Sequence, residues 1–130
     1  MLMEMIERVI KEERVREFYV GNHGRFDALA GRALREMKPK YPDTRCYLVT
    51  AYHPGAAKIE LPEMFDGIFY PLERGVPPRY ALPRANRAMV EQCDMLIAAV
   101  RRPGWSRDVL EYARRREKQG LIRVINLLDK

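Results

Sequence analysis

Four residues between positions 21 and 27 are of the types that bind phosphates and sugars. Gly21 and Gly24 can take positive φ, and their bare backbone lets a ligand approach closely. Asn22 offers both a donor and an acceptor, and Asp27 suits a sugar hydroxyl. A carboxylate in the first turn of a helix is also favourable by a few tenths of a kcal/mol to about 1 kcal/mol. Ligand contact and helix stabilisation therefore both stay open for Asp27.

The elements on either side of this turn are a strand and a helix. Phe18–Val20 is aromatic and β-branched, which is the composition of a buried strand. Over residues 25–38 the apolar residues recur at helical spacing, as Phe26, Leu29, Ala30, Ala33, Leu34 and Met37. A strand, a glycine turn and a helix N-terminus together favour an anion. The segment predicts a ligand site at the end of this strand, although a plain tight turn has the same layout.

The rest of the chain also alternates helices with strands. The predicted helices cover residues 2–13, 25–38, 79–92 and 105–119. The predicted strands are Phe18–Val20, Arg45–Tyr52, Gly67–Tyr70, Met95–Val100 and Leu121–Leu128. Strands that are apolar throughout indicate a parallel sheet with helices on both faces. We therefore expect one doubly wound α/β domain over residues 1–130, with Met95–Val100 buried on both faces and ligands bound at the carboxyl ends of the strands.

Composition limits the classes of partner. The net charge of +6 favours anionic ligands. We expect the arginines of the second half to form a solvated face rather than a nucleic-acid surface, because they lack interleaved aromatic platforms. No apolar run approaches the roughly 20 residues of a membrane helix, and the N-terminus does not resemble a signal peptide. Cys46 and Cys93 are interpreted as buried free thiols of a cytoplasmic protein. His23 and His53 lack a third ligand, so no metal is expected.

Five segments in register resemble the SLOG superfamily of Rossmann-like domains, which bind nucleotides and nucleotide-derived signals. These segments are FYVGNHGRFD, YLVTAYHPG, the Ile-Phe-Tyr-Pro of IFYPLERGVPPRYA, NRAMVEQCDMLIAAV and RVINL. Within the superfamily the chain is similar to a group of small, mostly bacterial proteins of undefined function, over about residues 17–127. The resemblance implies that the turn from Gly21 to Gly24 faces the ligand.

A second turn resembles the glycine-rich turn of the Lonely Guy phosphoribohydrolases, members of the same superfamily. In those enzymes the sequence of the turn is Pro-Gly-Gly-x-Gly-Thr-x-x-Glu. Residues 103–111 read PGWSRDVLE and keep Pro103, Gly104 and Glu111. Side chains replace the later glycines and the threonine, at Trp105, Arg107 and Asp108. A phosphate cradle needs converging backbone N–H groups without side chains between them, so the cradle is compromised here. Arg107 could instead supply a positive charge.

The catalytic pair implied by the same resemblance is incomplete. Ala85 stands where these enzymes carry the arginine that acts with the glutamate on the ribose bond. Arg84 and Arg87 flank the position but point to different sides of a helix. Glu111 therefore stays only a weak catalytic candidate, and partnership with the helix dipole is the simpler interpretation.

The first strand of the related small proteins, with its Gly-His-Arg turn, has no counterpart before the helix at residues 2–13. In the related proteins the absent strand is ordinarily the central strand of the sheet. Three explanations stay open: the sheet closes over the gap, a strand from a partner fills it, or the start of the sequence is lost or misassigned. We expect association, as a homodimer, to supply the missing pairing.

Two classes of function follow. The first is a non-catalytic binding module or sensor for a nucleotide or nucleotide-derived ligand, without cofactor or metal. The alternative is an N-glycosidic hydrolase acting on a nucleoside or nucleotide, or else a degenerate fold kept as an oligomerising unit. The missing arginine favours the first. The predicted ligand site consists of Gly21, Asn22, Gly24, Asp27, Gly104 and Arg107.

Overall fold

A computed structural model describes residues 2–21, 25–50, 65–70, 77–100 and 103–128. These residues form helices and strands in alternation. In chain order they are α1 (Leu2–Glu12), β1 (Glu17–Val20), α2 (Arg25–Met37), β2 (Arg45–Val49), β3 (Gly67–Phe69), α3 (Pro78–Gln92), β4 (Met95–Ala98), α4 (Trp105–Lys118) and β5 (Arg123–Asn126). The prediction of an α/β chain is confirmed, and so is the existence of each predicted element.

The chain divides into two compact units, Met1–Tyr70 and Pro71–Lys130, each with its own parallel sheet. The first unit holds strands in the order β1-β2-β3, and the second pairs β4 with β5. All these pairs are parallel, as the sequence predicts. The doubly wound arrangement and the single domain over residues 1–130 stay predictions. Within the described ranges, no helix has the length and apolarity needed to cross a bilayer.

Both helices of the first unit pack on one face of its sheet. The buried cluster combines apolar residues of α1 and α2 with Val20 and Cys46 of the strands, namely Ile6, Ile10, Ala33 and Leu34. Each large apolar side chain buried here contributes about 1.5–3 kcal/mol. Leu29 is 49% exposed, so its predicted place in the apolar stripe of α2 is wrong. It lies at the border of the stripe, whose centre runs through Ala30, Ala33 and Leu34.

The opposite face of this sheet is aromatic. Tyr19 of β1 stacks on Tyr47 of β2 with ring centroids 5.5 Å apart, and meets Phe69 of β3 edge-on at 5.1 Å. Gly67 makes room for these rings, since a Cβ there would lie 3.3 Å from Tyr47 Cδ1. Alternation along the strands therefore separates a face under the helices, where Phe18 packs among aliphatic residues, from a face of contacting aromatic rings.

The core of the second unit lies between its helices and its sheet. Val90 of α3, Ala113 of α4 and Ile122 are buried together, and Leu96 and Val124 of the strands pack against them. Only Ala98 of β4 is buried, whereas the three residues before it are half-buried. The prediction that Met95–Val100 is buried on both faces is therefore wrong.

The pairing of β4 with β5 is extended by a side chain. The Asn126 carboxamide accepts a hydrogen bond from Val100 N–H at 2.9 Å and donates one to Val100 O, also at 2.9 Å. An amide side chain thus takes the place of one further peptide group at the carboxyl end of the sheet.

Candidate functional site

The predicted turn begins at Gly21, immediately after β1, and leads into α2 at Arg25. Gly21 does not take a positive φ, a conformation found at the described glycines Gly104 and Gly120. Its importance is spatial, because a Cβ at this position would lie 3.0 Å from Asp27 Oδ2. The side chain of Asp27 therefore reaches back from the first turn of α2 over the bare Cα of Gly21. Asp27 thus occupies the space that a Cβ of Gly21 would fill, and contact between a ligand and the Gly21 backbone stays a prediction.

The position of the Asp27 carboxylate determines which chemical groups the turn can bind. A carboxylate accepts hydrogen bonds from sugar hydroxyls and repels a phosphate at the same position. Its place at the carboxyl end of β1 is where ligands bind to open α/β sheets. Asn22 and Gly24, the other predicted ligand contacts in this turn, lie outside the described residues. The first unit thus brings together Gly21 and Asp27 of the predicted site.

The second predicted turn leads into α4. Gly104 is the N-cap residue, with φ 142° and ψ −168°, a region nearly restricted to glycine. No side-chain cap hydrogen bond is made here, and a Cβ on Gly104 would meet nothing within 4 Å. The glycine is therefore required by backbone conformation rather than by close approach of a neighbour.

Arg107 and Glu111 lie one turn apart on α4 and contact each other. Arg107 Nε is 3.6 Å from Glu111 Oε1, with 45% and 58% of the two side chains exposed. Such an exposed i,i+4 pair is worth about 0.2–0.5 kcal/mol to a helix, and water screens both charges. Glu111 therefore lacks the desolvated setting of a general acid.

The position assigned to the catalytic arginine is closed. Ala85 is 1% exposed on α3, so a buried methyl group stands where the resemblance places a guanidinium. Its neighbour Arg84 is exposed and lies over the ring of Tyr80, 6.0 Å from the centroid. The incomplete catalytic pair stays a prediction from the resemblance.

The six predicted ligand contacts are thus distributed between the two units. Gly21 and Asp27 belong to the first unit, and Gly104 and Arg107 to the second. That they line a single pocket together stays a prediction.

One cavity was missed by sequence reasoning. It has a volume of about 260 Å³ and lies at the amino-terminal edge of the first sheet, away from the predicted site. Three of its polar residues contact one another, since Lys38 Nζ donates to Thr44 O and lies 3.8 Å from Asp66 Oδ1. Asp66 Oδ2 accepts the backbone N–H of Cys46 at 2.8 Å. These contacts connect the end of α2 to the start of β2 and β3 and are structural.

Neither cysteine is suited to nucleophilic chemistry. Burial, reinforced by the charge of Asp66, raises the pKa of the Cys46 thiol to about 12. Burial, with a smaller effect of Asp94, raises the pKa of Cys93 to about 11. Both are free thiols, with Cys46 buried and Cys93 half-buried. A thiol in this state is protonated at neutral pH and does not act as a nucleophile.

The sequence matches no protein-family model, and it matches no curated protein at a significant level. In the part of the chain that the structure describes, no cluster of three His, Cys, Asp or Glu side chains could hold a metal ion. His23 and His53 lie outside that part.

Proposed function

We propose that this chain is a SLOG-type, doubly wound Rossmann-like domain that binds a nucleotide or a nucleotide-derived ligand without transforming it. The observation that carries the proposal is the Asp27 carboxylate held over Gly21 at the carboxyl end of β1. The five sequence segments in register and the parallel pairing of all described strands support the fold. The proposed ligand class, a molecule that contains a ribose, follows from the hydrogen-bonding groups of the turn.

In this proposal Asp27 binds a ribose. Its carboxylate accepts the hydroxyl hydrogens of the sugar, and Asn22 and the backbone at Gly21 and Gly24 contact the remaining polar groups. The phosphate lies away from the Asp27 carboxylate, which repels it. Asp27 offers the phosphate no positive charge, so we expect weak affinity.

Two features of the second unit favour binding over hydrolysis. Ala85 cannot supply the positive charge that the hydrolytic reaction uses, and its burial leaves no room for one. Glu111 is exposed and paired with Arg107. A developing oxocarbenium ion would meet only a solvated carboxylate.

The experiment is isothermal titration calorimetry with AMP, GMP, ADP-ribose and cyclic ADP-ribose. In Gly21→Ala the new methyl group forces the Asp27 carboxylate aside, which is a small movement of a side-chain end. We expect this variant to keep its fold and to bind the best ligand about tenfold more weakly, the worth of one charge-assisted hydrogen bond. Asp27→Asn should weaken binding similarly.

The matched control is Asp43→Asn, which removes an exposed carboxylate of the same unit that pairs with Arg16. It should leave the affinity unchanged. Heat from none of the four ligands would contradict the binding proposal and leave the turn a structural corner. A ribose 5-phosphate release assay runs alongside, and rapid turnover with AMP would show a hydrolase instead.

A further inference from the structure

The net charge of the chain belongs to one of its two units. Residues 1–70 carry 11 basic and 11 acidic side chains, whereas residues 71–130 carry 13 basic and 7 acidic ones. The second unit therefore accounts for the whole net charge of +6. Eleven of its 13 basic residues are arginines, which bind phosphate through a planar fork of donors.

The arginines of α3 surround an exposed aromatic ring. Tyr80 is 44% exposed in the first turn of the helix. The guanidinium carbon of Arg79 lies 4.7 Å from its ring centroid, and that of Arg84 lies 6.0 Å away. Arg84 and Arg87 follow Tyr80 at i+4 and i+7, so the three residues share one face of α3. The expectation that Arg84 and Arg87 point to different sides of this helix is therefore wrong.

A second tyrosine continues this surface on α4. Arg87 of α3 lies 5.2 Å from the ring centroid of Tyr112, and two arginines of α4 approach the same ring, Arg115 at 5.8 Å and Arg116 at 5.9 Å. The Tyr112 hydroxyl donates a hydrogen bond to Glu91 Oε1 at 2.7 Å, and this bond fixes the position of the ring. Arg116 Nε is buried without a hydrogen-bond partner among the described residues. We call Tyr80, Arg84, Arg87, Tyr112, Arg115 and Arg116 the arginine–tyrosine surface.

This geometry removes the reason for expecting a merely solvated face. That expectation depended on arginines without interleaved aromatic platforms. The structure places two tyrosines among the arginines of α3 and α4, one of them with its ring well exposed. Aromatic rings between cations are the arrangement that binds unpaired bases and their phosphates together.

We propose that the arginine–tyrosine surface binds single-stranded nucleic acid. The arginines contact phosphates, and Tyr80 stacks on a base whose face is free only in a single strand. The phosphates of a duplex can contact the arginines, but its bases are stacked on one another and cannot stack on Tyr80. The surface should therefore bind a single strand more tightly than a duplex. The proposal uses residues of the second unit alone and does not depend on ligand binding at Gly21 and Asp27.

The test is fluorescence anisotropy of the full chain with a labelled 15-nucleotide oligo(dT) and with a duplex of the same length, from 50 to 200 mM salt. We expect tighter binding of the single strand. Tyr80→Ala should weaken it about 5- to 150-fold, the range for loss of one stacked base, and Tyr80→Phe should preserve it. Tyr80 is exposed on a helix, so its replacement by alanine leaves the core intact.

The arginine contacts have their own readout. Arg84→Gln and Arg87→Gln should each lower the slope of log Kd against log salt by about 0.7, the value for one single-strand phosphate contact. The control Arg32→Gln removes an exposed arginine of the first unit and should change neither affinity nor slope. Equal or tighter binding of the duplex, full affinity of Tyr80→Ala, or no binding at 50 mM salt would each overturn the proposal.

Discussion

The carboxylate of Asp27 fills the space beside Gly21, whereas nothing lies within 4 Å of a Cβ built on Gly104. Both glycines follow from the same sequence argument about turns that approach a ligand. In the structure the first depends on a neighbouring side chain and the second on its own φ of 142°. Substitution by alanine should therefore have different consequences at the two positions.

Gly104→Ala should lower the free energy of unfolding by about 1–3 kcal/mol, because alanine is strained in this backbone region. Urea denaturation of the variant and of wild type measures the difference. Ser106→Ala, an exposed change two residues further along α4, should shift the stability by less than about 0.5 kcal/mol. A Gly104→Ala protein as stable as wild type would show that the turn relaxes without cost.

Cys46 should resist alkylation in the folded protein. With a pKa of about 12, about one thiol in 10⁴ is ionised at pH 8, against about a quarter of free cysteines. Iodoacetamide labelling of the Cys93→Ala variant, followed by mass spectrometry, should therefore be at least about 100-fold slower in buffer than in urea. Equal rates in the two solvents would show that the thiol is not buried.

At the scale of elements, Asp66 joins the start of β3 to β2. Its carboxylate accepts Cys46 N–H at 2.8 Å, and its own N–H donates to Cys46 O at 2.7 Å. Asp66→Ala leaves the half-buried Cys46 N–H without its charged acceptor and should destabilise the protein by about 1.5–3 kcal/mol. Asp66→Asn keeps an acceptor and should cost less. Similar losses in both variants, measured by urea denaturation, would mean that the charge rather than the hydrogen bond matters.

Glu7 connects α1 to the segment after α2. Its Oε2 accepts hydrogen bonds from Lys40 Nζ at 2.6 Å and from the Tyr41 hydroxyl at 3.1 Å. The hydrogen bond from Lys40 is the main reason that the pKa of Glu7 is lowered from its usual value of 4.5. A carboxyl group with a lowered pKa in the folded state stabilises the protein above its unfolded pKa, and this contribution is lost as the pH falls through the folded value.

Wild type should accordingly lose its stability advantage over Glu7→Gln as the pH is lowered from 7 to 3, with the loss starting near 4.5. Urea midpoints at each pH measure the difference. Glu4→Gln, an exposed change on the same helix, is the control and should differ less from wild type at every pH. An advantage over Glu7→Gln that is constant down to pH 3 would contradict this account.

The spacing of apolar residues predicted the helices and strands well, because burial of one face of an element produces that spacing. Each predicted helix and strand is found, with ends that differ by up to three residues, as at β2, which ends at Val49 rather than Tyr52. Tertiary packing determined which residues of each element are buried and which long-range contacts they make. Leu29 matches the helical stripe in sequence yet is exposed, because α2 presents a narrower face to the sheet. Hydrogen bonds over long sequence separations, such as that between Asp66 and Cys46, have no periodic signal.

For the candidate site the sequence identified residue types but not their contacts. Gly21 and Asp27 were both named as ligand contacts, yet their approach to each other depends on how α2 leaves the strand. The pairing of Arg107 with Glu111 follows from i,i+4 spacing and could have been predicted. The aromatic platforms among the arginines were also visible as Tyr80 and Tyr112, but only the distances between rings and guanidinium groups show that they interleave.

At the scale of the whole molecule, β1 is a terminal strand of its sheet and pairs with β2 on one side in the described residues. We propose that association of two copies covers this edge, because an open strand edge invites pairing. Sedimentation velocity at micromolar concentration should show a dimer. A monomer at these concentrations would contradict association, and the test requires no ligand.

The choice of arginine over lysine in the second unit limits how its charge can be regulated. Lysine acetylation, a common way of weakening a basic surface, could remove only two of the 13 positive charges in residues 71–130. Guanidinium groups also stay protonated through the whole physiological pH range. An acetyltransferase or a change of cellular pH would therefore leave this unit almost as basic as before, and any control of its charge would have to come from enzymes that modify arginine or from a competing polyanion.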